Sequence, residues 1–393
     1  MFDCPNQFTV SITDRISNID ADAWDGCLLE TPGGDDHPFL QHAHLRILED
    51  CRAIEGRIWA ARYLTARDAA GRLVAAMPMF VKASPFGDLV NEQAWVDLHR
   101  RSGRPYYPKL QICAPFSPVT GPRLLRRRDA PEQLLSRIIG LVTRSAASSN
   151  LSGAHATYVN EGDLNLFKKA GWHARSNIQF HWHNQDYQSF DDFLDTLISR
   201  RRSMIRSERH EVAQRGVDIQ ILTGPDLREE HMDVFAGFYL STFEKKNCLP
   251  LLPRDYFLML GERMADRVVL VMARADGRYV GATLNILGSR TLFSRSWGGV
   301  EGFSFLHFEV TNYRAIEFAI ERGLATLDGG IGGLHKLKRG YQPVTTWSAH
   351  HMLDPAMDNA IAGLVRQEGA LVAREHLNLA GQGAYRRGPL LRR

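Results

Sequence analysis

The residues with the richest chemistry in this chain are crowded together. Asp328 is followed by Gly329, Gly330, Gly332 and Gly333, and then by His335, Lys336, Lys338, Arg339 and Tyr341. An apolar run, Gly323-Leu324-Ala325-Thr326-Leu327, leads into the acid. The pattern predicts a strand that stops where backbone amides and three cations converge, and such a place suits a phosphate-bearing ligand. It is neither a Walker loop nor a dinucleotide fingerprint, because the Gly-x-x-x-x-Gly-Lys-Ser/Thr and helix-opening Gly-x-Gly-x-x-Gly spacings are missing. Turn geometry decides which of Lys336, Lys338 and Arg339 points inward.

Other residues could add to this chemistry. Arg202, Arg206 and Arg209 recur at i, i+4 and i+7 on a predicted helix, where three guanidiniums could line a polyanion such as an RNA arm or a nucleotide. The competing account is a solvated face with Glu208 and Glu211 as partners. Arg295 and Trp297 alternate along a predicted strand and share a face, possible walls of an acceptor groove. His307 and Glu309 are two apart, so on a helix they do not form a dyad, and Asp328 competes with His307 as base or amine anchor. His181 and His183 share a strand face without an evident third ligand, so no metal is assigned. No Ser/His/Asp or Cys/His arrangement marks a covalent nucleophile.

The blocks Asp328-Gly329-Gly330-Ile331, Gly333-Leu334 and Leu337-Lys338-Arg339-Gly340-Tyr341 resemble the closing signature of the FemAB-like N-acyltransferases. Tyr106 to Gln111, Pro115 to Arg123, Ser189 to Phe193, Phe243 to Lys246 and Phe305 to Glu309 resemble further blocks of the same group, which extends the likeness from about Pro38 to about Asp354. Leu334 stands where that group usually has an acid, and Asn247-Cys248-Leu249 replaces a Trp- and Gly-containing turn, so the substrate is less defined than the fold. The resemblance implies amide formation: an aminoacyl group passes from aminoacyl-tRNA to a primary amine, with no cofactor. An acyl-CoA or carrier-protein thioester is the alternative donor, and a non-catalytic glycan or peptidoglycan-precursor binder the alternative function. It places Lys338 on a substrate phosphate, with Lys336 and Arg339 as alternates, Tyr341 beside them, and Tyr107 and Lys109 on the acceptor. The amides of Ser304, Phe305 and Leu306, at the start of the helix after the long hairpin, would hold the donor. The Arg/Gln-x-x-Gly-x-Gly/Ala signature of acetyl-CoA users is absent.

Positioning these groups needs two frameworks. Arg62 to Ala76 and Val269 to Ala282 echo one another as strand, Gly-containing turn, strand. Amphipathic helices follow, marked by Leu134, Leu135, Ile138, Ile139 and Val142 in one half and by Val310, Tyr313, Ile316 and Ile320 in the other. The expected class is α/β (α+β), with two tandem GNAT-like lobes, each a mixed, mostly antiparallel sheet flanked by helices. The expected boundaries are 1–185, carrying a long irregular insertion rich in Pro and aromatics at 84–123, then 186–360, then a C-terminal helix and basic tail at 361–393. Ser189 and Asp192 predict a helix N-cap at the second lobe, and the tail from Gly381 is expected to fray.

Composition bounds the rest. With 393 residues, 44% hydrophobic and 23% charged, the chain is neither disordered nor fibrous, and two lobes are the natural expectation. A net charge of +4 leaves any nucleic-acid footprint local rather than global. Five scattered cysteines without Cys-x-x-Cys spacing, no secretory leader and no apolar run near the ~20 residues of a membrane span point to a cytoplasmic protein without integral membrane contact.

Overall fold

A computed structural model describes residues 2–4, 8–54, 56 and 58–386. The first unit comprises the described residues up to Asn177 together with Thr346–Ala373, and the second comprises Ile178–Thr345 with the described residues from Arg374 on. In chain order the first unit contributes strands β1 (Phe2–Cys4), β2 (Phe8–Thr13), β3 (Trp59–Asp68), β4 (Leu73–Lys82), β5 (Lys109–Ile112), β6 (Leu125–Arg126) and β7 (Gly153–Val159). Its helices are α1 (Ala21–Glu30), α2 (His42–Asp50), α3 (Gln93–Arg101), α4 (Glu132–Ser148) and α5 (Glu161–Lys169). Strand β8 (His173–His183) leads into the second unit, which holds β9 (Asp218–Leu222), β10 (Val268–Ala275), β11 (Arg278–Leu287), β12 (Thr291–Gly299) and β13 (Thr326–Asp328). Its helices are α6 (Phe190–Thr196), α7 (Ser199–Gln214), α8 (Glu229–Lys245), α9 (Arg254–Arg263), α10 (Leu306–Phe308) and α11 (Arg314–Glu321). Strand β14 (Gln342–Met352) returns the chain to the first unit, and α12 (Pro355–Ala380) runs from there into the second.

The two ladders repeat one plan. In the first unit the order is β1-β2-β3-β4-β5-β7-β14 with β6 beside β4, and in the second it is β8-β13-β12-β11-β10-β9. Each is antiparallel apart from a single parallel pair, β5 with β7 and β12 with β13. A parallel pair needs a crossover, and in each unit a helix supplies it: α4 before β7, and α10 with α11 before β13. This is the GNAT-like layout expected from the echoed hairpins, which form β3-β4 and β10-β11. The crossover helices bury the apolar faces read from their periodicity: Leu134, Leu135, Ile138, Ile139 and Val142 in one core, Tyr313, Ile316 and Ile320 in another, and Val310 in a neighbouring cluster.

Three expectations need correction. The units are not consecutive stretches divided at 185 and 360, because Trp347–Met352 of β14 pair with β7 and so return to the first unit. The insertion 84–123 is not irregular throughout, since Gln93–Arg101 is helical and Lys109–Ile112 is a central strand; burial of Trp95 and Tyr106 drives this ordering. The tail does not fray from Gly381: Ala384 is buried, Leu197 and Tyr385 form a β-bridge, and the Tyr385 hydroxyl donates to the Gly340 carbonyl at 2.7 Å. Residues 387–393 of that tail lie outside the described residues. Ser189 caps α6 as its spacing predicts, its hydroxyl accepting from the Asp192 amide at 3.1 Å. Cys27, Cys51, Cys113 and Cys248 are free thiols.

Candidate active site

The acid that ends β13 sits in the middle of its ladder. Asp328 pairs with Phe293 of β12 on one side and with His181 of β8 on the other, and its residue is 1% exposed. A carboxylate so buried needs donors. It accepts from the Gly330 amide at 2.7 Å and from Arg295 Nη2 at 3.2 Å, with His181 Nε2 at 3.6 Å. Past it the chain folds back as a glycine hook, and the Lys336 ammonium donates to the Gly329 carbonyl and, at 3.2 Å, to that of Gly332. Burial pushes the Lys336 pKa down to about 8, opposed by the Asp328 charge and assisted by Arg295. This partly buried amine therefore titrates close to neutrality.

Which cation faces inward is decided by a 3₁₀ turn over Leu334–Arg339, bounded by Gly333 and Gly340, both at φ 91°. Only glycine takes that conformation without strain. At three residues per turn, positions i and i+3 eclipse, so Lys336 and Arg339 share a side. Lys338 is exposed, and Arg339 is 3% exposed. The Arg339 guanidinium meets Glu208 of α7 through Nε at 3.2 Å and Nη2 at 2.6 Å, donates to the Tyr313 hydroxyl at 2.8 Å and to the His335 carbonyl at 3.0 Å, and lies 3.4 Å over the Phe308 ring. Tyr313 in turn donates to Glu208. Arg339 thus ties the hook to α7 and to the crossover helix, while Lys336 is the cation presented beside Asp328.

The crossover helix is interrupted by a π turn at Glu309–Tyr313 between α10 and α11. Such single wide turns recur at functional sites. Before it, the His307 ring packs 5.2 Å from Trp297 and 5.8 Å from His335. Burial drives the His307 pKa down to about 4, with His335, Lys336 and Arg339 adding to the fall, so its imidazole is neutral at pH 7. Glu309 faces elsewhere, on Arg209 at 3.2 Å and Arg314 at 2.9 Å. Burial raises its pKa against those two charges. His307 and Glu309 are therefore separate, as their spacing of two requires, whereas a bulge that sets Arg295 out of register with β11 breaks the alternation expected between Arg295 and Trp297, one of which reaches Asp328 and the other His307.

The sequence matches the FemAB-like family, described as peptidoglycan biosynthesis/recognition, over residues 15–387. The chain belongs to that family. No curated protein sequence matches it. Among solved structures this FemAB-like chain is similar to FemX, with TM-score 0.54 and 12% identity over 88% of this chain and 98% of that one. It is also similar to the C-terminal DUF2156 domain of a putative lysylphosphatidylglycerol synthetase from Agrobacterium fabrum, with TM-score 0.51 and 8% identity over 91% of this chain and 98% of the other. A conserved protein of unknown function from Bacteroides thetaiotaomicron gives 0.52 and 12% over 87% and 99%. At such identities the likeness is one of fold. No helix among the described residues is long and apolar enough to cross a membrane.

The remaining candidates of the FemAB-like chain are distributed unevenly. Arg202 pairs with Asp195 at 3.2 Å, Arg206 with Asp191 at 3.0 Å, and Arg209 with Glu317 at 2.6 Å as well as with Glu309. Arg202, Arg206 and Arg209 thus each face a carboxylate, although neither expected partner is used, since Glu208 holds Arg339 and Glu211 holds Arg215. At the crossover helix, Ser304 and Phe305 are exposed and Leu306 is buried. Arg215 reaches the Gly302 carbonyl at 2.6 Å and the Ser304 hydroxyl at 3.4 Å, which puts a cation beside the amide end of the helix.

Tyr107 and Lys109 belong to the first unit. Lys109 is fully buried on Glu92, with Asp88 at 3.4 Å, and the Tyr107 hydroxyl donates to Asp88 at 2.6 Å. Lys82, also buried, pairs with the same Asp88. The sequence reading missed Lys82, Asp88, Glu92, His155 and His350, which have no local motif and meet only through strand register. His335, inside the glycine-rich block, was noted there but given no role.

Proposed function

We propose that this protein is an N-acyltransferase that forms an amide from an activated acyl or aminoacyl donor and a primary amine, with the chemistry at the glycine hook of the second unit. The observation that carries this reading is Lys336, held by two hook carbonyls beside the buried Asp328–Arg295 pair in a FemAB-like chain. Amide formation needs an oriented donor, an unprotonated amine and stabilisation of the oxyanion that develops at the carbonyl. Lys336, protonated below about pH 8, supplies the positive hydrogen-bond donor for that oxyanion. Asp328 keeps Arg295 and the hook in register and offers the acceptor ammonium a counter-charge. Neutral His307 is available to take the proton that the amine loses. The attacking nitrogen forms its bond to the carbonyl carbon, the donor's ester or thioester bond breaks, and the leaving group departs with a proton, without a covalent enzyme intermediate.

The donor we favour is aminoacyl-tRNA, in keeping with the FemAB-like family and the missing CoA signature. A smaller thioester donor is a second reading, favoured by the carboxylates that already pair with Arg202, Arg206 and Arg209. Incubating the protein with charged tRNA and an amine-bearing peptidoglycan precursor, with and without RNase, separates the two. RNase-sensitive amide product is expected. Product only from acyl thioesters replaces the tRNA reading, and no product from any donor overturns the enzyme reading in favour of a binding protein.

A further inference from the structure

The ladder of the first unit places three polar side chains in one row. Gln111 of β5 is the register partner of His155 of β7, and His155 is the partner of His350 of β14. Residues in register on adjacent strands face the same side of a sheet, so an amide and two imidazoles stand together. All three are buried, at 4%, 0% and 0% exposure. The two Nδ1 atoms are 2.9 Å apart. Glu92, which precedes α3, comes down on this row at 5% exposure. One oxygen of its carboxylate and one ring nitrogen of each histidine lie within 4.8 Å of one another.

We infer that Glu92, His155 and His350 form a binding site for a single divalent d-block cation, Zn²⁺ by ligand class. Two imidazoles and one carboxylate are a recurrent set for such ions, and the hard oxygen-rich sites of Ca²⁺ and Mg²⁺ are built otherwise. The outer contacts suit the role. His350 Nε2 is 2.8 Å from the Ser348 hydroxyl, which fixes the ring with Nδ1 turned towards His155. Tyr106 and Lys109 both donate to Glu92 through Oε2, which leaves Oε1 for a metal. Zn–N bonds of about 2.0–2.1 Å set tetrahedral nitrogens roughly 3.4 Å apart, so the imidazoles need to part by about half an ångström.

The Glu92 side of the set meets a small recess. It has about 20 Å³ of room for water-sized molecules and is lined by Glu92, Gln111, Asp88, Thr157, Trp59 and Phe116, among others, though not by His155 or His350. Gln111 Oε1 is buried there without a hydrogen-bond partner, and an amide oxygen is a fit fourth ligand or a partner for metal-bound water. Three protein ligands with a position facing a recess is the pattern of an accessible metal rather than a sealed structural one.

The test is a Co²⁺ titration of the full chain after chelator treatment, read by ligand-field absorption, with metal content of the untreated protein by mass spectrometry. One equivalent is expected, with tetrahedral-type bands that Zn²⁺ abolishes. His350→Ala and Glu92→Gln should each weaken binding by tenfold or more, while His183→Ala, on the other histidine pair, leaves it unchanged. Circular dichroism of the variants guards against loss of folding. Absence of stoichiometric Co²⁺ binding by the wild-type chain overturns the inference. So does undiminished binding in a folded His350→Ala variant, or its loss in His183→Ala. None of these readouts depends on the proposed acyl transfer.

Discussion

The two units carry the same ladder and treat charge in opposite ways. In the first, the ammonium groups of Lys82 and Lys109 are sealed in and matched against Asp88 and Glu92, with Trp59 4.3 Å beneath the Lys82 ammonium. In the second, the acid at the end of β13 is sealed while the following glycines leave Lys336 partly buried on a bent backbone. A buried ion pair with complete partners is costly to disturb, because removing one partner leaves the other charge unpaired. A cation held only by carbonyls, with its pKa brought near neutrality, can exchange those carbonyls for a substrate oxygen. The two frameworks thus differ in their lysines, and the second leaves its lysine able to exchange partners.

The sharpest way to break this comparison is at Arg339, the sealed cation of the second unit. Arg339→Met leaves Glu208 buried without its bidentate partner and should lower unfolding free energy by about 3–5 kcal/mol in urea titration. Adding Glu208→Leu should recover a large part of the loss. A fall under about 1 kcal/mol for the single variant would mean that Arg339 is not the tie described.

Asp328→Asn tests the coupling within the hook. It removes the charge that raises the Lys336 pKa, so the alkaline limb of acyl transfer should move to lower pH, with product formation about tenfold slower. An unmoved limb would separate the two residues. The pH dependence of stability follows from the same shift. Lys336 has its folded pKa depressed to about 8 from 10.5, so the unfolded chain binds more protons between those values. The contribution of Lys336 is fully present above about 10.5 and is lost as pH falls through about 8. His307, depressed to about 4 from 6.5, acts in the same sense over the window from 6.5 down to 4. Stability of wild type minus Lys336→Met should rise with pH across the alkaline window, and a flat difference would contradict the buried amine. The smallest effect belongs to Lys338→Ala, an exposed position, where activity and stability should change less than about twofold and about 0.5 kcal/mol.

Much of the frame was legible because it is periodic. The hairpins β3-β4 and β10-β11 echo in sequence, and the crossover helices show their apolar stripes. The glycine hook was legible as composition, though not which lysine it turns inward, since the 3₁₀ turn that selects Lys336 over Lys338 leaves no mark in residue types. Arg202, Arg206 and Arg209 read as one cationic face, yet their carboxylates come from Asp195, Asp191, Glu309 and Glu317, at distances no local pattern encodes. The row Gln111, His155, His350 was invisible for the same reason, because it exists only once β5, β7 and β14 are in register.

The central claim is that Lys336, and not Lys338, carries the charge that amide formation uses. Rates of amide formation for wild type, Lys336→Met and Lys338→Met, measured from pH 6 to pH 10 with a non-titrating donor, test it directly. The account predicts a wild-type rate that falls as pH rises through about 8, the same limb in Lys338→Met, and a loss of about 10²–10³-fold with no limb in Lys336→Met. Full activity in a folded Lys336→Met, or the loss appearing in Lys338→Met instead, would contradict it.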